Sequence, residues 1–253
     1  MPDKEKSKAP AVDGAILIMD LLASAHQPMT LSEICEQTHI PPASAHRIIN
    51  TLLEQQMLAQ DPSRKKAYCI GSKIFQIAST IYNKQSIIPF FYPIAEILKN
   101  EIHKTIFLSV PVGNTSVVVS KLETSLNSAF NLFIGQTMPL YQSAAGKAIL
   151  SMTNHDFQRN YLTSESKVTP QIKQEWPSIE TELERAKRLG YAVSHGEIDD
   201  NMSCISAPIL NLRNEPVAAI SATIPGDYLS QQAVRDNAKK LIQAARQLSS
   251  RMG

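Results

Sequence analysis

The chain of 253 residues has only three cysteines, no long apolar run and almost no excess of charge of either sign. Each shortage argues against something. Cys35, Cys69 and Cys204 are far apart and odd in number, and none sits in a CxxC or Cys/His spacing. That pattern speaks against a disulfide framework and a structural zinc site, and it fits a reducing cytoplasm. No stretch approaches the roughly 18–20 uninterrupted apolar residues of a membrane-spanning helix. The opening MPDKEKSKAP is charged, lacks the apolar core of a secretory signal, and reads as a flexible tail over residues 1–10. With 25 Lys and Arg against 23 Asp and Glu, the formal charge is +2. No global basic field announces nucleic acid, so any such binding must come from local placement of charge. At 43% apolar and 19% charged, the composition is that of an ordinary globular protein with one large or two modest domains.

What is present begins with helix punctuation. Apolar residues in AVDGAILIMDLLASA (11–25) recur with helical spacing. Thr30 followed three residues later by Glu33 is a capping box that starts a second helix. Pro41 disfavours helical geometry at Ile40, which makes a short turn. IPPASAHRIINTLL (40–53) then predicts a third helix, with Ala45, Ile48, Ile49, Leu52 and Leu53 on its apolar side. Two helices joined by a tight turn suggest a helix-turn-helix. Met57–Gln60 and Ala67–Ile70 read as strands around an Asp61-Pro62-Ser63 turn, with Arg64, Lys65 and Lys66 at the hairpin tip. Three helices and a basic-tipped hairpin make a winged helix-turn-helix over residues 11–72. Residues 73–86 predict an amphipathic linker helix, with apolar residues at Ile74, Ile77, Ala78 and Ile81. From 87 to 253 the pattern is mixed. Helices are expected near Pro93–His103, at SAAGKAILSM, at IETELERAKRLG and over about 231–251. Strands turn at Gly113-Asn114, and YAVSH, SCISAPIL and PVAAISATI follow as consecutive antiparallel strands. The fold class is α+β.

With these elements in place, the chain resembles the IclR family of transcriptional regulators. The likeness runs from about residue 12 onward. It is carried by AHRIINTLL, SAAGKAIL (143–150), RLGYAVSHGE (188–197), CISAP (204–208) and VAAISATIPG (217–226), in that order. The resemblance implies an N-terminal winged helix-turn-helix, a linker helix and a C-terminal GAF-like effector-binding domain with an antiparallel sheet. It also implies a homodimer or homotetramer that binds double-stranded operator DNA, responds to a small-molecule effector, often an organic acid, and needs no cofactor or metal. A repressor is favoured over an activator. The chain departs from the family pattern at His39 in the helix-turn-helix turn, Gln56 before the first wing strand and Asn201 near CISAP, which all stand where glycine is usual, and at Pro42 and Ala43, which begin the third helix where lysine or serine is common.

The third helix keeps its leading residues small with Pro42, Ala43 and Ser44, as a helix entering the major groove requires. Arg47 offers a bidentate pair to guanine and Asn50 one to adenine; Ser44 and His46 reach phosphate or base. Arg64, Lys65 and Lys66 would meet flanking phosphates. Residues 1–73 hold eight Lys/Arg and eight Asp/Glu, so one domain binds modestly and two are needed. In the second domain, Ser143, Ala144 and Ala145 open a helix whose amides can hold a carboxylate. Cys204, Ser206, Ser221 and Thr223 supply small and hydroxylated strand positions, and Leu132, Met138 and Leu140 apolar walls; by resemblance this is the effector site. Two other readings exist. One is a metabolite-binding protein whose helix-turn-helix contacts protein, against which stands the lack of a large apolar anchor on residues 42–50. The other is an enzyme using Cys204 with His195, Glu197 and Asp199, against which stands the absence of any supporting motif; the chain is expected not to be an enzyme.

Overall fold

A computed structural model describes residues 8–84, 87–124, 132–196, 202–225 and 230–252. It divides into two compact units, Met1–Gln85 and Ser86–Gly253. Among the described residues, no helix is long and apolar enough to cross a membrane.

The first unit runs α1 (Pro10–Ser24), β1 (Met29–Thr30), α2 (Leu31–Thr38), α3 (Pro42–Glu54), β2 (Leu58–Gln60), β3 (Ala67–Ile70) and α4 (Ser72–Lys84). Its core gathers Ile18 and Leu22 of α1, Ile34 of α2, Ile49 and Leu52 of α3, and Leu58 of β2. These are the residues at helical spacing in the sequence, and their burial is what holds helices of 8–15 residues that would be marginal alone. β1, β3 and β2 form a small antiparallel sheet in that order. The capping box is present: Thr30 Oγ1 accepts from the Glu33 amide, and Glu33 accepts from the Thr30 amide at 2.7 Å.

The second unit runs α5 (Ile88–Ile102), β4 (Ile106–Val112), β5 (Thr115–Leu122), β6 (Thr137–Pro139), α6 (Ala144–Ser151), α7 (His155–Glu165), α8 (Ile172–Leu189), β7 (Ala192–His195), β8 (Met202–Leu210), β9 (Pro216–Pro225) and α9 (Gln231–Ser249). The strands make one antiparallel sheet in the order β6-β5-β4-β9-β8-β7. Because side chains alternate along a strand, the two faces differ in chemistry. One face presents Ile106, Leu108, Ile205, Ile220 and Ile224 to α5 and α9 and forms the larger core. The other presents Phe107, Ser109, Ser194, Cys204, Ser206, Ser221 and Thr223, in register across neighbouring strands. α6 crosses this second face, with Ala145, Ala148 and Ile149 buried among Ala192 and Ala219. Lys147 of α6 is buried and pairs with Glu182 of α8 at 2.7 Å.

β1 and β6 are short strands the sequence reading lacks, α8 starts at Ile172 rather than near Ile179, and α5 and α7 also differ from expectation. α5 begins at Ile88, well before Pro93, and runs through that proline. The missing Pro93 amide loses one helical bond, but Ile88 and Phe91 are buried in the core, and that burial holds the first turn. α7, absent from the sequence reading, starts on an Asn154 side-chain cap and buries Tyr161; its mean polarity hides the apolar stripe.

Candidate DNA-reading helix and effector cavity

α3 starts cleanly because Pro41 and Pro42 need no donor there, and the Ser44 and Ala45 amides bond to the Pro41 carbonyl at 2.9 and 3.0 Å. Ala45, Ile49 and Leu52 point inward. At about 100° per residue the opposite side is then Ala43, Arg47 and Asn50, all exposed, with Pro42 and His46 exposed on its flank and Ser44 half-buried. The Arg47 guanidinium makes no hydrogen bond or ion pair among the described residues, and the Arg47 carbonyl accepts from Thr51 Oγ1 at 3.1 Å. Asn50 Nδ2 lies 3.3 Å from His46 Nδ1, a contact that occupies one side of the carboxamide and leaves the rest of it to a base edge. The outer face is slim at its leading end and polar along its length, which suits a groove about 12 Å wide.

The turn before α3 and the link to β2 both use left-handed backbone. His39 has φ 57° and Gln56 φ 56°, the two positions where the sequence lacks a usual glycine. The chain keeps the geometry and accepts the Cβ strain. Gly71 is needed for space: a Cβ there would stand 2.2 Å from the Gln56 carbonyl oxygen. Asn201 lies outside the described residues, as do Glu197 and Asp199.

At the wing, Lys65 and Lys66 are exposed. Arg64, expected at the phosphates with them, turns its guanidinium back to the protein. Its Nη1 donates to the Pro28 carbonyl at 2.6 Å and its Nη2 to Glu33 Oε1 at 2.7 Å. The Arg64 and Thr30 hydrogen bonds hold the Glu33 carboxyl down at about 2 against an ordinary 4.5.

The expected effector residues divide. Leu132, Met138, Ser143, Ala144, Ala145 and Cys204 line one cavity, joined by Phe107 and Ser194. Its free volume is about 10 Å³, space for about one water. Ser143 caps α6: its hydroxyl accepts from the Gly146 amide at 3.0 Å and lies 3.1 Å from Ser116 Oγ. The Ala144 and Ala145 amides, in the first turn, have no acceptor within the helix. Among the described residues, no lysine or arginine lines the cavity. At its rim Lys121 Nζ donates to the Leu132 carbonyl and to Glu123 Oε1, the latter at 2.7 Å.

Leu140, Ser206, Ser221 and Thr223 do not line it. Leu140 is buried with Tyr141, Ile149 and Trp176 on the other side of α6, its backbone held against Gly146. Ser206 and Ser221 face each other across β8 and β9, and their hydroxyls bond at 2.6 Å. Thr223 is fully buried directly across from Cys204, and its hydroxyl has no partner among the described residues. Phe107 and Ser194 were missed because their segments were read as strands with no face assigned to either residue. Period two along IFLS and AVSH was the signal that sets them on the polar face. Burial pushes the Cys204 thiol up to about 12, so it is protonated near neutrality and no nucleophile.

Two family models match this chain. The IclR helix-turn-helix domain covers residues 11–62, and the C-terminal domain of bacterial transcriptional regulator IclR covers 79–250. The chain belongs to the IclR family. It is a DNA-binding transcriptional regulator, not an enzyme. It is 26% identical to the HTH-type transcriptional regulator KipR of Bacillus subtilis, over 90% of this chain and 92% of that one. Among solved structures, Thermotoga maritima IclR superposes with a TM-score of 0.75 at 21% identity, over 96% of this chain and 99% of the other. An IclR homologue from Microbacterium hydrocarbonoxydans complexed with 4-hydroxybenzoate superposes at 0.71 with 16% identity, over 96% and 98%. IclR architecture accounts for both halves: a helix-turn-helix first, then an α/β domain on an antiparallel sheet.

Proposed function

We propose that this regulator acts in the cytoplasm as a repressor whose grip on operator DNA is set by a small organic acid bound between β4, β8 and the start of α6. The observation that carries the effector reading is Thr223. A buried hydroxyl without a partner costs about 1–3 kcal/mol, and this one lies beside Cys204, which lines the cavity, on the sheet face that α6 crosses. A carboxylate bridging the Ala144 and Ala145 amides to Thr223 would satisfy all three without a buried cation. Phe107, Leu132 and Met138 would cover its apolar part. The small free volume favours an acid of few atoms, with Leu132 and Met138 moving aside as it enters. The homologue complexed with 4-hydroxybenzoate supports a small-molecule effector in general.

On the DNA side, Pro42, Ala43, Ser44, His46, Arg47 and Asn50 face the major groove, and Lys65 and Lys66 meet phosphate. Val12, Ile16 and Leu17 stay exposed on α1, which supports self-association into a homodimer or homotetramer that presents two recognition helices. The acid prefers one arrangement of the assembly, and the linker helix passes that preference on as helix spacing.

The test is a thermal-shift panel of acetate, pyruvate, a sugar acid and benzoate on the full chain, followed by gel shift on a duplex selected from a random library. The expected result is a raised Tm with at least one short acid, lost in Thr223→Val, and altered DNA affinity with the same acid. If no acid moves either Tm or DNA affinity, the effector reading fails.

A further inference from the structure

Arg64 stands between two exposed lysines and a helix, and it points at the helix. Its guanidinium reaches back to the Pro28 carbonyl before β1 and to Glu33 in the first turn of α2. Glu33 in turn accepts from the Thr30 amide and from Thr30 Oγ1 at 2.9 Å. On the wing side, Asp61 Oδ1 accepts from the Ser63 amide at 2.8 Å and the Arg64 amide at 3.0 Å, and the Ala67 amide bonds back to the Arg64 carbonyl at 3.1 Å. One unbroken chain of hydrogen bonds therefore runs from the wing turn through Arg64 to the N-terminus of α2. Lys65 and Lys66 follow immediately, and Lys66 leaves the turn in left-handed backbone at φ 58°.

We propose that Arg64 is a positioning residue of the DNA-binding unit: through Glu33 and Pro28 it fixes the wing against α2, and so sets where Lys65 and Lys66 meet the DNA backbone, without touching phosphate itself. Its charge is offset by the Glu33 carboxylate, and each terminal nitrogen already donates one proton to a protein acceptor. A guanidinium paired with a carboxylate brings no net positive charge to the DNA and so adds little to counterion release, whereas free lysines at the tip add their full share. The inference rests on the wing meeting DNA, which the Lys65→Ala variant checks separately.

The experiment measures affinity of the full chain for the selected duplex and for a mixed-sequence duplex as salt is varied. Circular dichroism establishes that each variant is folded at the assay temperature. Lys65→Ala is expected to flatten the slope of log affinity against log salt by about 0.9 for each wing engaged. Arg64→Ala is expected to weaken binding to the selected duplex about tenfold while leaving that slope at the wild-type value. Glu33→Gln, which keeps a capping side chain, should weaken binding similarly with the same slope, and the double variant should be no worse than either single one. Arg64→Lys, which keeps the Glu33 pair alone, should recover part of the loss.

Two results would overturn the proposal: an Arg64→Ala slope that falls as the Lys65→Ala slope does, or a Glu33→Gln variant that binds DNA more tightly because it frees Arg64. The Glu33→Gln result decides by its sign even if Arg64→Ala does not fold. An unchanged Lys65→Ala slope would instead remove the wing from the DNA contact altogether.

Discussion

At the residue scale the sharpest tests lie at Arg47, Asn50 and Thr223. Arg47→Ala should abolish selection of one duplex over a mixed-sequence competitor, and Asn50→Ala should relax preference at a single adenine. Each bidentate base contact is worth about 1–3 kcal/mol of discrimination. Gel-shift competition reads both; an Arg47→Ala variant with wild-type selectivity would take α3 out of the groove. Thr223→Val removes a buried hydroxyl with no partner and keeps the side chain's shape. The unliganded protein should gain roughly 1 kcal/mol in chemical denaturation while losing its response to acid. A variant that lost stability instead would mean that the hydroxyl is satisfied in the free protein. Arg47 and Asn50 were legible from the sequence because helical period alone puts them opposite Ala45, Ile49 and Leu52. Arg64 was not: its partners Pro28 and Glu33 are brought to it by the fold, 36 and 31 residues away.

At the element scale, strain and caps decide. His39 and Gln56 carry a left-handed backbone that costs a non-glycine residue roughly 1–2 kcal/mol. Gln56→Gly and His39→Gly should therefore each raise Tm, less the entropy that glycine adds to the unfolded chain. Gly71→Ala should lower it, because the added methyl meets the Gln56 and Leu58 carbonyls and can move neither cheaply. The cap of α2 has a pH signature. Glu33 sits at about 2 when folded and near 4.5 when free, so its contribution is fully present above about 4.5 and is lost as pH falls toward 2. The difference in denaturation midpoint between wild type and Glu33→Gln should accordingly be constant from neutrality down to about pH 5 and shrink below it. A difference that grew with acidity would contradict the folded-state assignment.

At the scale of the whole molecule, an even charge balance and a modest single reading unit make assembly and linkage the natural route to regulation. An effector coupled to DNA binding by about 1–3 kcal/mol changes operator affinity about 5- to 150-fold. Reciprocity requires the duplex to change acid affinity by the same factor, in the same direction. Calorimetric titration of the acid with and without the selected duplex measures it; equal affinities in the two titrations would remove the coupling.

What the amino-acid order determined by itself is local and periodic. Three helices, the Thr30–Glu33 cap, the turn at Gly113 and the small leading face of α3 follow from neighbours within a turn or two of chain, where spacing is geometry. What only the tertiary structure decided is which distant groups meet. Cys204 and Ser206 look alike in CISAP, yet strand register sets one across from Thr223 at the cavity and ties the other to Ser221. Strand period assigns a face but not a neighbour, and a neighbour is what turns a hydroxyl into a ligand site or a filled bond.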